Sequence, residues 1–339
     1  MDSLRHIYGL YLALFVATSL SGQALHLTSY AHAPISLSPA MTGAYAGSAR
    51  VGATTREQYR EFLTQPYTSS NVYIDSPLAL GLPEQQWVGV GLEINNSIDG
   101  ALSLTRQNIT TAVSYHMALD KKYKTVIGMG LAYTYQRKNI DNSNGANFED
   151  EVLGLIDRSQ DHNLLENISA INNGLHLGIY LKKKYSKKLS YRIGAAVREV
   201  YNTGNKRSDL NATTADRQII VHADWDYKLN KVVSLSPTLL YQKLPYSTNA
   251  TGLLGIRHKV LKDENLILTY QIGYRWKDAG LTVLGAEYKN YTFTIGYDMT
   301  LSSATNYNGL YGAFEIGLSK VFIIHPKVKE KIIQFCPRL

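Results

Sequence analysis

Long hydrophobic runs are nearly absent from these 339 residues. The one exception, Ile7 to Val16 extended by Ala17, falls short of the ~20 apolar residues that a membrane-crossing helix needs. A helical membrane protein is therefore excluded, but a barrel is not, because its strands turn only alternate residues to lipid. Cysteine is almost missing as well. Cys336, standing alone near the C-terminus, rules out an internal disulfide and a lipid-acceptor role, and reads as a small packed side chain rather than a nucleophile. The chain also lacks a nucleophile elbow, a zinc-binding H-E-x-x-H, a phosphate loop and a paired-cysteine motif, so the reading is non-enzymatic, with no cofactor and no metal.

Negative charge is in deficit: 27 Asp and Glu stand against 35 Lys and Arg, a formal charge of +8. The positions of the lysines exclude a nucleic-acid groove. Lys121, Lys122 and Lys124 form one group, Lys182, Lys183, Lys184, Lys187 and Lys188 another, followed by Lys228 and Lys231, Lys262 and Lys289. They fall at every second connection between strand-like segments, which places them on one rim facing lipid headgroups or an acidic partner.

What the chain has in quantity is alternation. In Thr125 to Arg137, Ile127, Met129, Leu131, Tyr133 and Tyr135 share one face, while Val126, Gly128, Gly130, Ala132, Thr134 and Gln136 share the other. Side chains of a strand alternate between faces, so the first set fits lipid and the second a crowded interior. The same phase recurs in Leu266 to Trp276 and in Tyr291 to Thr300. Counting such segments predicts strands near 45–59, 70–75, 86–95, 103–118, 124–138, 174–184, 189–201, 217–228, 232–244, 250–260, 266–277, 279–288, 291–300 and 310–320. The fold expected is all-β: a transmembrane antiparallel barrel of about 14 strands, an even number as bacterial barrels require. The 25 tyrosines, several at strand ends such as Tyr123, Tyr227, Tyr288 and Tyr291, suit interfacial girdles.

Residues 1–22 read as a cleaved signal peptide, with Arg5 and His6 before the apolar run and cleavage after Ser21 or Gly22. Residues 23–43, with Leu25, Leu27, Ile35 and Leu37, read as a periplasmic or plug segment, 44–320 as the barrel and 321–339 as a C-terminal tail. The inward phase carries Arg106, His116, Arg192, Arg198, His222, Asp224, Arg275, Asp298 and Glu315, expected to ion-pair across the lumen. The longest connection, 139–173, holds Glu149, Asp150, Glu151, Asp157 and Asp161 among apolar residues including Phe148, Ile168 and Ile171. So apolar a loop is expected to fold over the mouth or grip a partner; a Ca²⁺ site is the third option, although Glu149-Asp150-Glu151 lacks the spacing of a calcium loop.

Several short stretches combine into a family pattern: Leu37-Ser38-Pro39-Ala40, Ala44-Tyr45-Ala46-Gly47-Ser48, Thr55-Arg56-Glu57-Gln58-Tyr59, Asp75-Ser76-Pro77-Leu78, Val88-Gly89-Val90-Gly91-Leu92 and the terminal Cys336-Pro337-Arg338-Leu339. In this the chain resembles the PorP/SprF family of outer-membrane barrels associated with type IX secretion and gliding motility. The resemblance implies a bacterial outer-membrane protein that helps secrete or anchor surface proteins such as adhesins. Its implied partners are a secreted protein carrying a type IX C-terminal domain, a periplasmic peptidoglycan-binding lipoprotein, and outer-membrane lipid. The rival reading is a channel of the fatty-acid-transporter type for hydrophobic small molecules, which an apolar ligand pocket would favour and a lumen packed with Arg, His, Asp and Glu would not. Independently of any family, Gly89 and Gly91 remove side chains from one phase, letting another element approach the wall closely.

Overall fold

Alternation along the chain becomes a continuous antiparallel meander in the computed structural model, which describes residues 28, 30–61, 63, 66–99, 104–140, 168–204, 217–245, 247–261, 266–302, 305 and 309–324. The segments are β1 (Ala49–Gln58), β2 (Tyr67–Leu78), β3 (Gln86–Asp99), β4 (Leu104–Ala118), β5 (Thr125–Ile140), β6 (Ile168–Lys184), β7 (Leu189–Gly204) and β8 (Gln218–Lys228). They continue as β9 (Val233–Leu235), β10 (Thr238–Lys243), β11 (Thr248–Leu261), β12 (Leu266–Arg275), β13 (Ala279–Tyr288), β14 (Tyr291–Thr300) and β15 (Ala313–Phe322). Segments β9 and β10 both pair with β8 and β11, every other segment pairs with its chain neighbours, and β15 pairs with β1, so the sheet closes with no free edge. Closure lets the ladder groups of both end strands pair within the chain, the condition for strands in lipid.

Segments β9 and β10 are two halves of one wall strand, so the fifteen segments make fourteen strands. The single strand expected over 232–244 breaks because Pro237 has no N–H to give the ladder. The wall stays paired through the break: Ser236 N donates to Gly255 O at 2.8 Å, and Pro237 O accepts from Trp225 N at 3.0 Å.

Outward positions are the large apolar ones. Met129, Leu131, Tyr133 and Tyr135 on β5, and Tyr270, Ile272 and Tyr274 on β12, are exposed on the outer wall, while Val126, Ala132 and Thr134 are buried inside. The short connections 119–124, 185–188, 229–232 and 289–290 share one rim with the lysine groups, and Lys182, Lys183 and Lys184 end strand β6 rather than occupying the turn. Asp120 organises the first of these turns, accepting from Lys122 N at 3.0 Å, Lys124 N at 3.0 Å and Thr125 N at 2.7 Å. These backbone donors hold its carboxyl below the usual aspartate range.

Several boundaries differ from expectation. The first strand starts at Ala49, not 45, because Gly43 turns the chain with φ 65° before the wall begins. Strand β2 runs from Tyr67 to Leu78, twice the expected 70–75, since ladders on both sides order the polar Thr68, Ser69 and Ser70. Strand β6 begins at Ile168, so Ile168 and Ile171 belong to the wall and the loop shrinks to 141–167. The last strand reaches Phe322, which moves the start of the tail. Residues 1–22, the carboxylates Glu149, Asp150, Glu151, Asp157 and Asp161, and Cys336 lie outside the described residues.

The buried apolar core lies inside the ring. Tyr30 and Leu37 pack on Ala196, Ile220 and Leu240; Ile35 packs on Tyr73, Ala112 and Ala132; Ala40 and Met41 pack on Ala118, Val126 and Tyr180. The core is thus built between the wall and the segment that precedes it.

Candidate functional site: a lumen occupied by the N-terminal segment

Thr28 and residues 30–45 lie in the lumen, with a short 3₁₀ turn Tyr30–His32, a four-residue helix Pro34–Leu37 and a second 3₁₀ turn Pro39–Met41. Pro34 and Pro39 each sit at a first helical position, where a missing N–H costs nothing. Ser38 accepts from Ala40 N at 3.3 Å and starts the second turn. So close an approach is possible because the wall is bare there. A Cβ added at Gly89 would collide with Thr42 O, at Gly130 with the Pro39 and Ala40 backbone, and at Gly178 with the Ser38 hydroxyl.

Buried polar contacts fix the segment at three places around the ring. At the first, Thr28 N donates to Glu315 Oε2 at 2.8 Å and its hydroxyl donates to Asp298 Oδ1 at 2.5 Å. Arg56 bridges the same carboxylates, at 2.8 Å from Asp298 and 3.6 Å from Glu315, and donates to Thr28 Oγ1 at 3.0 Å. Arg275 completes the cluster, 2.9 Å from Asp298 and 3.0 Å from Asp278. Cross-strand register sets up part of this, since Arg56 lies directly opposite Glu315 on β15.

The second place is β8. Tyr30 donates its hydroxyl proton to Asp224 Oδ1 at 3.0 Å, and Arg192, opposite Asp224 on β7, holds the other oxygen at 3.0 Å. Burial and the Asp224 carboxylate push the Tyr30 phenol well above its ordinary value. His222 lies beside Asp224 at 3.7 Å, in space that Gly194 opposite leaves free.

At the third, Ser36 bonds to Glu93 through its hydroxyl and through its N–H at 3.1 Å. Nearby, Gly43 N donates to Asp75 Oδ2 at 2.7 Å, and Arg50 grips both Asp75 oxygens at 2.9 and 2.8 Å. Trp87 Nε1 donates to Gly43 O at 3.0 Å. His32 is buried against the wall at Gly317, with both ring nitrogens lacking a hydrogen-bond partner. Burial and the neighbouring Arg50 charge push it down to about 4.

A serine–histidine pair occurs under the segment, yet its polarity is wrong for catalysis. The Ser114 hydroxyl donates to Thr42 O at 2.6 Å, and His116 Nε2 lies 2.8 Å from both Ser114 Oγ and Thr42 O. With two acceptors to satisfy, Nε2 carries the proton and donates, so it does not take one from the serine. Among the described residues, no group of three or more His, Cys, Asp or Glu is placed to hold a metal ion.

Of the nine inward residues expected from sequence, Arg275, Asp298 and Glu315 meet in the first cluster, Arg192, His222 and Asp224 in the second, and His116 lies below Thr42. Arg106 lies ten residues along β4 from His116, and Arg198 six along β7 from Arg192, both toward the loop end. Arg50, Arg56, Asp75 and Glu93 were missed as site residues, although Arg56 follows Gly52 and Thr54 on one phase and Glu93 follows Gly89 and Gly91.

The sequence matches the family described as type IX secretion system membrane protein PorP/SprF over residues 19–319. No curated protein matches it. Among solved structures it is similar to the Ralstonia pickettii toluene transporter TbuX, at 11% identity and TM-score 0.48 over 86% of this chain and 94% of that one. It is also similar to the CymD monoaromatic hydrocarbon channel, at 12% identity and TM-score 0.48 over 87% and 94%, and to the KdgM porin, at 10% identity and TM-score 0.38 over 80% and 99%. Likenesses of this degree carry nothing about ligand or transport. A family match across nearly the whole chain does carry weight, and this closed barrel of the outer membrane belongs to the PorP/SprF membrane proteins of the type IX secretion system.

Proposed function

We propose that this barrel is a non-enzymatic anchor that retains secreted surface proteins, adhesins among them, by holding their C-terminal domain at the loop end. The observation that supports this over a conduit for hydrophobic molecules is the lumen. It is occupied by the N-terminal segment and lined with Arg56, Asp75, Glu93, Arg275, Asp298 and Glu315, not with an apolar passage. Binding then falls to the connections, where specificity usually resides. The longest, 141–167, carries Glu149, Asp150, Glu151, Asp157 and Asp161 among apolar residues and is the candidate cargo grip. The lysine rim faces the periplasm in this reading and meets a peptidoglycan-bound lipoprotein.

The test is affinity purification of the tagged barrel from native outer membranes, with copurifying proteins identified by mass spectrometry. A large secreted protein recovered in stoichiometric amount through its C-terminal domain, and lost when 141–167 is deleted, is the expected result. Recovery of the barrel alone, or cargo retention unchanged by the deletion, would overturn the anchor reading and favour the channel.

A further inference from the structure

The outer wall of a membrane barrel is ordinarily convex, and lipid slides past it. Over β4–β8, close to the lysine rim, this wall is hollowed instead into an apolar groove of about 480 Å³. That volume lies within the roughly 300–1,000 Å³ of small-molecule sites. Its ridges are Ile127 and Met129 on β5, Ile179 and Leu181 on β6 and Ile193 on β7, and Ala195 provides the low floor between them. Met129 and Ile179 are among the more exposed apolar side chains of the wall, at 60% and 62%.

A charged end adjoins the groove. Lys183 lies on the same face of β6 as Ile179 and Leu181, two residues nearer the rim. The exposed Lys124 stands in the β4–β5 turn, and the exposed Lys187 and Lys188 in the β6–β7 turn. Backbone bonds hold these connections side by side: Lys184 N donates to Lys124 O at 2.7 Å, and Lys228 N to Lys188 O at 2.8 Å. An apolar slot beside a cluster of lysines matches an amphiphile with acyl chains and an anionic head. Short turns of an outer-membrane barrel face the periplasm, which puts this head in the glycerophospholipid leaflet.

We infer that the β4–β8 groove is a binding site for an anionic glycerophospholipid, its acyl chains along Ile127, Ile179 and Ile193 and its phosphate among Lys124, Lys183, Lys187 and Lys188. The site is independent of the cargo reading, since it lies on the outer wall and uses neither the lumen nor the 141–167 connection.

The experiment is native mass spectrometry of the full-length barrel in detergent, offered equal amounts of phosphatidylglycerol and phosphatidylethanolamine with identical acyl chains. Each lysine near the head is expected to favour the anionic lipid about fivefold, so the intact protein retains phosphatidylglycerol at least tenfold over phosphatidylethanolamine. Combining Lys124→Gln, Lys183→Gln, Lys187→Gln and Lys188→Gln brings that ratio close to one. Ala195→Phe, which fills the floor on the lipid side and leaves every charge in place, lowers retention of phosphatidylglycerol about tenfold. The combination Lys228→Gln, Lys231→Gln and Lys289→Gln, on the same rim but away from the groove, leaves the ratio unchanged. Equal retention of the two lipids by the intact protein overturns the site, as does retention indifferent to Ala195→Phe or equally sensitive to the distant lysines. A lipid-anchored polypeptide or a second copy of this chain as the groove-dependent adduct overturns it too.

Discussion

Arg56 stands between Asp298 and Glu315 with its side chain only 5% exposed, and it also donates to the Thr28 hydroxyl. Truncating one member of a buried ion-pair group leaves the others uncompensated, at a cost of about 3–5 kcal/mol. Arg56→Met is therefore expected to destabilise the barrel toward that lower figure, since Arg275 still holds Asp298. A lowered denaturant midpoint, together with faster amide exchange in the N-terminal segment, is the readout; an unchanged midpoint would mean that Arg56 is dispensable to the cluster. His32 acts in the opposite sense, because its folded value of about 4 is depressed from an ordinary 6.5. Below pH 6.5 the free segment takes a proton that the docked one refuses. Docking is fully stable above pH 6.5, weakens as pH falls toward 4, and loses about 3 kcal/mol across that window, at 1.36 kcal/mol per pKa unit. Hydrogen exchange of the 30–43 amides, corrected for intrinsic rate, should show this slope in the natural chain and lose it in His32→Gln.

Among the elements, glycine positions on β3, β5 and β6 decide how near the N-terminal segment comes. Gly130 is tightly confined, with the Pro39 and Ala40 backbone where its Cβ would stand. Gly130→Val should push the Pro39–Met41 turn off the wall at a cost of about 1–3 kcal/mol, the usual range for overpacking. Exchange should quicken at 38–43 and stay slow along β5; protection that survives at 38–43 would place the constraint elsewhere. The wall elements were largely legible in the sequence, because a period of two is a local signal: β12 and β14 keep the phase read from Leu268, Tyr270 and Ile272, and from Phe293, Ile295 and Tyr297. Strand β2 was less so, as the polar run Thr68-Ser69-Ser70 has no apolar face until β1 and β3 flank it. Arg275, Asp298 and Glu315 were read onto the inward phase, yet Arg56, which joins them, was not. Its carboxylate partners lie more than 240 residues away in sequence, and only closure of β15 on β1 brings them together. Gly89 and Gly91 did signal a close approach, which Thr42 and Ile35 make.

For the molecule as a whole, the governing quantity is the strand number. Barrel diameter grows with strand count, and about eight strands is the size whose interior side chains alone can fill. Fourteen strands leave space that the wall residues of this chain do not close, many of them being Gly, Ala, Ser or Thr on the inward phase. The N-terminal segment supplies the missing volume, with Ile35, Leu37, Ala40 and Met41 buried in the interior. Closure of the sheet and occupation of the lumen are thus separate events, the first written in the ladders and the second in the contacts of one short stretch. Removing that stretch should leave the barrel and open its centre. A chain lacking residues 28–43 is expected to keep the heat-resistant compact migration of a folded barrel and to show discrete channel openings in planar bilayers. The intact protein should be nearly silent, and Arg56→Met should open only intermittently, because one of three attachment clusters is weakened. Equal conductance in the intact and shortened chains would mean that ions pass the segment as it stands, and that its role is to hold the wall together rather than to block it.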